Sequence, residues 1–139
     1  MSMKATIMHK KISENQNKMQ DFVDRYQSYY DNLDETLKLQ ILRSKAYEIH
    51  KNICEKKLFT STIVVIVFCF ASMRSNNTTN CLTEIMFDQA IIRAKELDQY
   101  FAKNQKPIGP LHGIPFSIKD TFDIENFGTY LFLALIEFF

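Results

Sequence analysis

The chain has 139 residues, with 17 basic and 16 acidic side chains and a formal net charge of +1. Without a long run of like charges, this composition does not favour a nucleic-acid-binding protein. The length suits one domain or part of one. Three widely spaced cysteines form no CxxC pair, which excludes a zinc-knuckle pattern and favours buried free thiols in a reducing compartment.

Chain-breaking residues are concentrated late in the sequence. All three glycines and all three prolines lie between Pro107 and Gly128, so the first hundred residues are predicted to be mostly helical. The N-terminus carries basic residues but no apolar stretch directly after them, and therefore does not resemble a secretory signal. These features favour a cytoplasmic protein.

The N-terminal region is predicted to be a polar tail followed by two helices. Residues 1–14 are polar and aperiodic and are expected to be frayed. Apolar residues from 19 to 30 have helical spacing, with an interruption expected at Asp31 and Asn32. A further apolar stripe over residues 33–53 predicts one amphipathic helix of several turns.

The most apolar segment, residues 63–73, is compatible with two structures. Thr60, Ser61 and Thr62 are N-cap candidates for a helix, whereas the run of β-branched residues after them also suits a buried strand. The segment is shorter than the roughly 20 apolar residues that a membrane-spanning helix needs. A membrane-anchored protein using residues 58–73 or 130–139 is therefore the hypothesis we rank last.

Loop, strand and helix signals then follow in turn. Residues 75–80 have the composition of a loop, and residues 81–87 alternate like a short strand. Asp88 is predicted to cap a helix, because the apolar residues from Phe87 onward fall on one face. A loop is expected at 104–115.

The segment GPLHGIPFSIKD, residues 109–120, is the most specific feature of the sequence. Its glycines and prolines predict a turn-rich loop that leads into a short strand at 116–119. The strand period would place Phe116 and Ile118 on one face and Ser117 and Lys119 on the other. Taken by itself, such a lysine would simply reach solvent.

This segment closely resembles the lysine-bearing motif of the amidase-signature family, commonly written GPLHGIPVSIKD. Residues 79–98, TNCLTEIMFDQAIIRAKELD, resemble the strand and helix that precede the motif, particularly in fungal acetamidase-like members. Residues 58–73 resemble the family's preceding helix more loosely. The resemblance covers roughly residues 58–129.

The resemblance implies an α/β fold in which a mixed sheet is surrounded by helices. This chain would be a helix-rich, incomplete N-terminal fragment of that fold. We predict three regions: an N-terminal helical region (1–57), a partial amidase domain (58–129) and a divergent apolar tail (130–139). The tail does not resemble the family.

The resemblance also implies hydrolysis of small carboxamides to carboxylate and ammonia by a Ser, cis-Ser, Lys triad, with no cofactor or metal. Lys119 matches the catalytic lysine, a general base that must be neutral and therefore buried. Ser117 would be at most a supporting hydrogen-bond partner, and His112 a packing or solvent-facing residue. Both family serines lie in a downstream glycine- and serine-rich segment that is absent here, so we expect the isolated chain to be inactive.

The alternative hypothesis is a non-catalytic remnant. A truncated α/β domain leaves apolar residues such as Phe122 and Phe127 uncovered, which favours association with another protein or with a membrane. The sequence does not indicate which amide is the substrate, or the oligomeric state.

Overall fold

The computed structural model describes residues 3–122 and residue 124, with side chains from His9 onward. The predicted apolar tail at 130–139 lies outside the described residues. The helices, in chain order, are α1 (Met3–Asp31), α2 (Glu35–Arg43), α3 (Ala46–Cys54), α4 (Ser61–Thr79) and α5 (Phe87–Asn104).

The described residues contain no strand, so the strands predicted at 81–87 and 116–119 are wrong for this part of the chain. Residues 81–86 and 115–119 have irregular backbone instead. A strand is stabilised by hydrogen bonds to a neighbouring strand, and residues 3–122 contain no such neighbour. This part of the chain is helix-rich and does not show the mixed sheet expected for an α/β fold.

Helix α1 begins at Met3, so the prediction of a frayed tail at 1–14 is wrong for residues 3–14. The side-chain amide of Asn15 donates to the carbonyl of Thr83 over 2.9 Å. The carboxylate of Glu84 pairs with Lys11 and lies 3.6 Å from the Nζ of Lys18. Polar contacts with a distant segment therefore hold this half of α1, and apolar periodicity does not reveal such contacts.

The single helix predicted over residues 33–53 is two helices, α2 and α3. Ser44 and Lys45 are both extended, with ψ angles of 139° and 158°. The Ser44 hydroxyl donates to the carbonyl of Gln40 over 2.7 Å, and the carboxylate of Glu48 accepts from the Lys45 N–H over 2.7 Å. Local side-chain bonds of this kind satisfy the free backbone groups at a helix end, so the break is stable.

The apolar segment at 63–73 forms a helix rather than a buried strand. The hydroxyl of Thr60 accepts from the N–H of Ile63 over 3.1 Å, which confirms Thr60 as an N-cap. Helix α4 continues to Thr79, so the loop predicted at 75–80 is wrong except at Asn80, whose φ of 49° ends the helix. Among the described residues, no helix has both the length and the apolar character needed to cross a membrane.

Helix α4 lies at the centre of the packing, against α1, α2 and α5. Consecutive residues Val64, Val65, Ile66 and Val67 are all buried, as expected of a helix surrounded on most sides. Phe22 of α1 is fully buried, and its ring centroid lies 4.9 Å from that of Tyr26, 5.1 Å from that of Phe87 and 5.4 Å from that of Phe70.

Helix α5 confirms the helix predicted near Asp88, although the cap is placed differently. The helix starts at Phe87, and Asp88 lies in its first turn. The carboxylate of Asp88 accepts a hydrogen bond from the Arg25 guanidinium over 2.6 Å, which connects α5 to α1. The helix ends at Asn104, followed by Gln105 with a φ of 52°. From there the chain enters the loop that carries the lysine motif.

Candidate functional site

The loop after α5 is a pair of tight turns, as the sequence predicts. The N–H of His112 donates to the carbonyl of Gly109 over 3.1 Å, and the N–H of Ile114 donates to the carbonyl of Leu111 over 3.2 Å. We call residues 107–114 the motif loop. Its turns direct the chain from the end of α5 across the helices toward Lys119.

Gly113 joins the motif loop to the helices. It is buried and has a φ of +77°, a conformation that residues with a Cβ adopt at a cost. A Cβ at this position would lie 2.6 Å from Cδ1 of Ile53 and 2.7 Å from Oγ of Ser61. The backbone therefore approaches the end of α3 and the start of α4 at a distance that only glycine allows.

Asp98 of α5 holds the start of α4 in place beneath this loop. Its carboxylate accepts from the N–H of Ser61 over 2.7 Å, the N–H of Thr62 over 3.0 Å and the hydroxyl of Thr62 over 2.6 Å. These bonds satisfy free donors at a helix N-terminus, where negative charge is also favourable. Asp98 was not among the residues singled out from the sequence, since its role depends on a contact between two helices.

We expect Asp98→Asn to lower the free energy of unfolding by about 0.5–2 kcal/mol, the range found for loss of an N-cap. Asparagine keeps one acceptor oxygen but presents an amide donor to groups that also donate. Urea denaturation followed by circular dichroism measures the change. Glu96→Gln is the matched control, because Glu96 is exposed and, within the described part of the chain, pairs with Arg93 of the same helix; it is expected to change stability by less than about 0.5 kcal/mol. Equal effects of the two variants would contradict the capping role.

His112 is buried inside the motif loop, with 3% of its surface exposed. Its Nδ1 accepts from the N–H of Ile108 over 3.4 Å, and its ring centroid lies 5.7 Å from that of Phe101. The Nε2 atom is buried and has no hydrogen-bond partner among the described residues. Burial lowers the pKa of His112, with a smaller opposing effect from Asp98. The sequence left open whether His112 packs inside the protein or faces solvent. The structure shows that it is a packing residue.

Lys119, the predicted general base, is exposed, and so is Ser117. Phe116 and Ile118 are also exposed, so the predicted alternation of a buried and an exposed face does not occur. The described residues do not supply the buried environment that a neutral lysine needs. The catalytic role of Lys119 and the supporting role of Ser117 stay predictions.

Large apolar side chains are exposed along the same stretch of chain. We define the apolar motif surface by five residues that are each at least 45% exposed: Ile108, Leu111, Phe116, Ile118 and Phe122. A series of exposed apolar side chains of this size is typical of a surface that another polypeptide covers.

The cysteines and metal ligands do not provide a second reactive centre in the described part of the chain. Burial raises the pKa of the Cys69 thiol to about 12, which disfavours the reactive thiolate. All three cysteines are free; Cys54 is half-buried and Cys81 exposed, so the expectation of buried thiols holds fully only for Cys69. Within the described ranges, no three side chains of His, Cys, Asp or Glu are grouped to hold a metal ion.

The fold and loop together define a helical platform that presents a glycine- and proline-rich loop and, after it, a lysine. The family model described as Amidase matches residues 64–136, more than half of the chain. The chain therefore belongs to the amidase family, in agreement with the resemblance of its motif.

Individual fungal relatives support this membership. The chain is 43% identical over 89 residues to kk1C of Curvularia clavata, a protein named as an amidase. The match covers 64% of this chain and 16% of that protein. The chain is 36% identical over 91 residues to the acetamidase of Emericella nidulans, covering 66% and 16% of the two chains. It is 33% identical over 99 residues to the acetamidase of Aspergillus oryzae, and the match covers 71% of this chain and 18% of that protein. No solved structure matches the chain.

The chain spans less than a fifth of the length of these curated relatives. The comparisons therefore establish the family of this part of the chain. The activity of a whole amidase, its substrate and its partners belong to the proposal below.

Proposed function

We propose that this chain supplies the lysine-bearing part of an amidase that hydrolyses small carboxamides to carboxylate and ammonia. The observation that carries the proposal is the motif at 109–120, which lies within the family match and is anchored to the helices at Gly113. Lys119 is the proposed general base and Ser117 a supporting hydrogen-bond partner. The proposed location is the cytoplasm, and no cofactor is needed for this chemistry.

In the proposed chemistry this chain supplies the lysine, and the rest of an amidase domain supplies the two serines. A serine attacks the amide carbonyl, a second serine relays its proton, and neutral Lys119 accepts that proton and later returns it to the departing ammonia. Water then releases the carboxylate. In this proposal both serines are supplied by the remainder of an amidase domain, and this chain by itself is expected to be inactive.

Exposure of the lysine is consistent with this division. A lysine becomes a base near neutral pH when it is removed from water, and here Lys119 is exposed, in the same stretch of chain as the residues of the apolar motif surface. Covering that surface with the remaining amidase polypeptide would bury Phe116 and Phe122 and bring Lys119 into a closed site. Completion of the domain thus supplies both the serines and the burial.

The second candidate is a non-catalytic protein that uses its apolar motif surface for association. The exposed fractions of Phe116 (77%) and Leu111 (68%) favour this candidate, because a large exposed apolar patch is typical of an interaction site. It shares the docking step with the first proposal and differs only in the absence of hydrolysis.

Co-expression tests the two candidates against each other. The chain is produced alone and together with the acetamidase of Emericella nidulans from which the segment matching this chain has been removed. Ammonia release from acetamide is measured for each preparation, with the truncated acetamidase alone as the control. Activity only in the combined preparation supports the amidase proposal. A stable complex without ammonia release would support the association protein instead, and no complex would contradict both.

A further inference from the structure

His112 occupies the point at which the motif loop closes on itself. Its Nδ1 accepts from the N–H of Ile108 over 3.4 Å, which ties the ring to the start of the loop. The next residue, Gly113, is the one whose backbone lies against Ile53 and Ser61. Shortly beyond these two residues the chain reaches Lys119. His112 therefore lies directly before the docked glycine and shortly before the segment that carries Lys119.

The surroundings of the imidazole favour its neutral form. Burial is the largest effect, and His50 from α3 and Arg93 from α5 act in the same direction. Asp98, also from α5, opposes them, but its carboxylate is already engaged by three donors at the start of α4. From α4, the residue nearest this part of the loop is the uncharged Ser61, whose buried hydroxyl has no described partner.

We propose that neutral His112 is a positioning residue that holds the Lys119-bearing segment on the helices, and that protonation of His112 releases this segment. The importance of this step for catalysis rests on the proposed function. The docking of the loop is independent of the proposed function, because it concerns only contacts within the described part of the chain.

The mechanism follows from the hydrogen-bonding capacity of imidazole. The neutral ring has one acceptor nitrogen, which here faces the N–H of Ile108; the protonated ring has donors on both nitrogens. Protonation therefore replaces an attractive contact with two opposed donors and places a charge in a buried position. Release of the loop removes both penalties, because the ring then becomes solvated.

The direction of the pH dependence follows from the lowered pKa of His112. The docked loop binds the proton less readily than the released loop, in which histidine has a pKa of about 6.5. Docking is therefore strongest at pH values above the pKa of the released histidine. It weakens as the pH falls below that pKa and is lost as the pH passes the lower pKa of the docked histidine.

Hydrogen exchange measured by mass spectrometry tests the proposal on the full chain. Peptides covering residues 105–122 are compared with peptides of α4 at about pH 7.5 and about pH 5, on either side of the normal histidine pKa. Rates are normalised to those of the unstructured peptides at each pH. We expect the normalised exchange of the loop to rise several-fold at the lower pH, because docking weakens as His112 binds a proton, while α4 changes little.

Two variants separate protonation from simple damage. His112→Asn keeps an acceptor oxygen near the position of Nδ1 but does not titrate, so its loop is expected to stay protected at both pH values. His112→Leu has no acceptor, so its loop is expected to exchange fast at both. Circular dichroism confirms that the helices are retained.

Two outcomes would overturn the proposal: unchanged loop protection in the parent chain, or the same pH dependence in His112→Asn. Neither depends on amidase activity. Failure of the co-expression experiment would remove the proposed function and leave this result standing, whereas a pH-insensitive loop would remove the role of His112 and leave the proposed function intact.

Discussion

Replacing Lys119 with alanine is expected to lower acetamide hydrolysis by the reconstituted amidase by about 10²–10⁴-fold, the usual contribution of a general acid–base group. The reason is that a serine hydroxyl is a weak nucleophile until a base accepts its proton. The loss is expected mainly in kcat, because Lys119 would act on a proton in the transition state rather than on substrate binding. Initial rates of ammonia release over a range of acetamide concentrations give both constants.

Lys103→Ala is the matched control for this measurement. Lys103 is also exposed, but it lies in the last turn of α5, before the motif loop begins. We expect its loss to leave kcat within about twofold of the parent, since an exposed surface charge contributes little. Similar losses from both variants, or full activity of Lys119→Ala, would exclude Lys119 as the general base.

Gly113→Ala is expected to lower the free energy of unfolding by about 2–5 kcal/mol. Two effects add: a left-handed backbone costs an L-residue about 1–2 kcal/mol, and overpacking of a dense site costs about 1–3 kcal/mol. The overpacking arises because the new Cβ would meet Cδ1 of Ile53 and Oγ of Ser61 at less than 3 Å. Urea denaturation gives the total, and hydrogen exchange of residues 105–122 shows whether the loss is confined to the motif loop.

Gly109→Ala is the matched control for Gly113→Ala. Gly109 lies in the same loop, and a Cβ built there meets no atom within 4 Å. Gly109→Ala is expected to change stability by less than about 1 kcal/mol, in either direction. If both alanines were tolerated equally, the close approach at Gly113 would not be what fixes the loop on the helices.

The sequence was most informative where the signal is local. Helix α5 was predicted from its apolar face, and Thr60 was among the candidate caps for α4. The lysine motif was recognised from consecutive residues, and the family match to residues 64–136 confirms what it resembles. In each case a periodicity, a cap or a contiguous motif was enough, because neighbouring residues alone set the local preference.

The errors fall where distant residues decide the structure. The polar start of α1 shows no apolar stripe, yet it is held by Thr83 and Glu84. The break between α2 and α3 depends on side-chain bonds of Ser44 and Glu48 that compete with a continuous helix. The predicted strands required a sheet, and none is present among the described residues.

By itself, the sequence determined the family and the helical character of the first hundred residues, and it predicts Lys119 as the base. Only the tertiary structure revealed that Gly113 lies against Ser61, that His112 is buried within the motif loop, and that Asp98 secures the helix start beneath it. The reason is physical. Periodicity and motif are properties of adjacent residues, whereas burial, close approach and capping between helices exist only after α3, α4 and α5 have packed together.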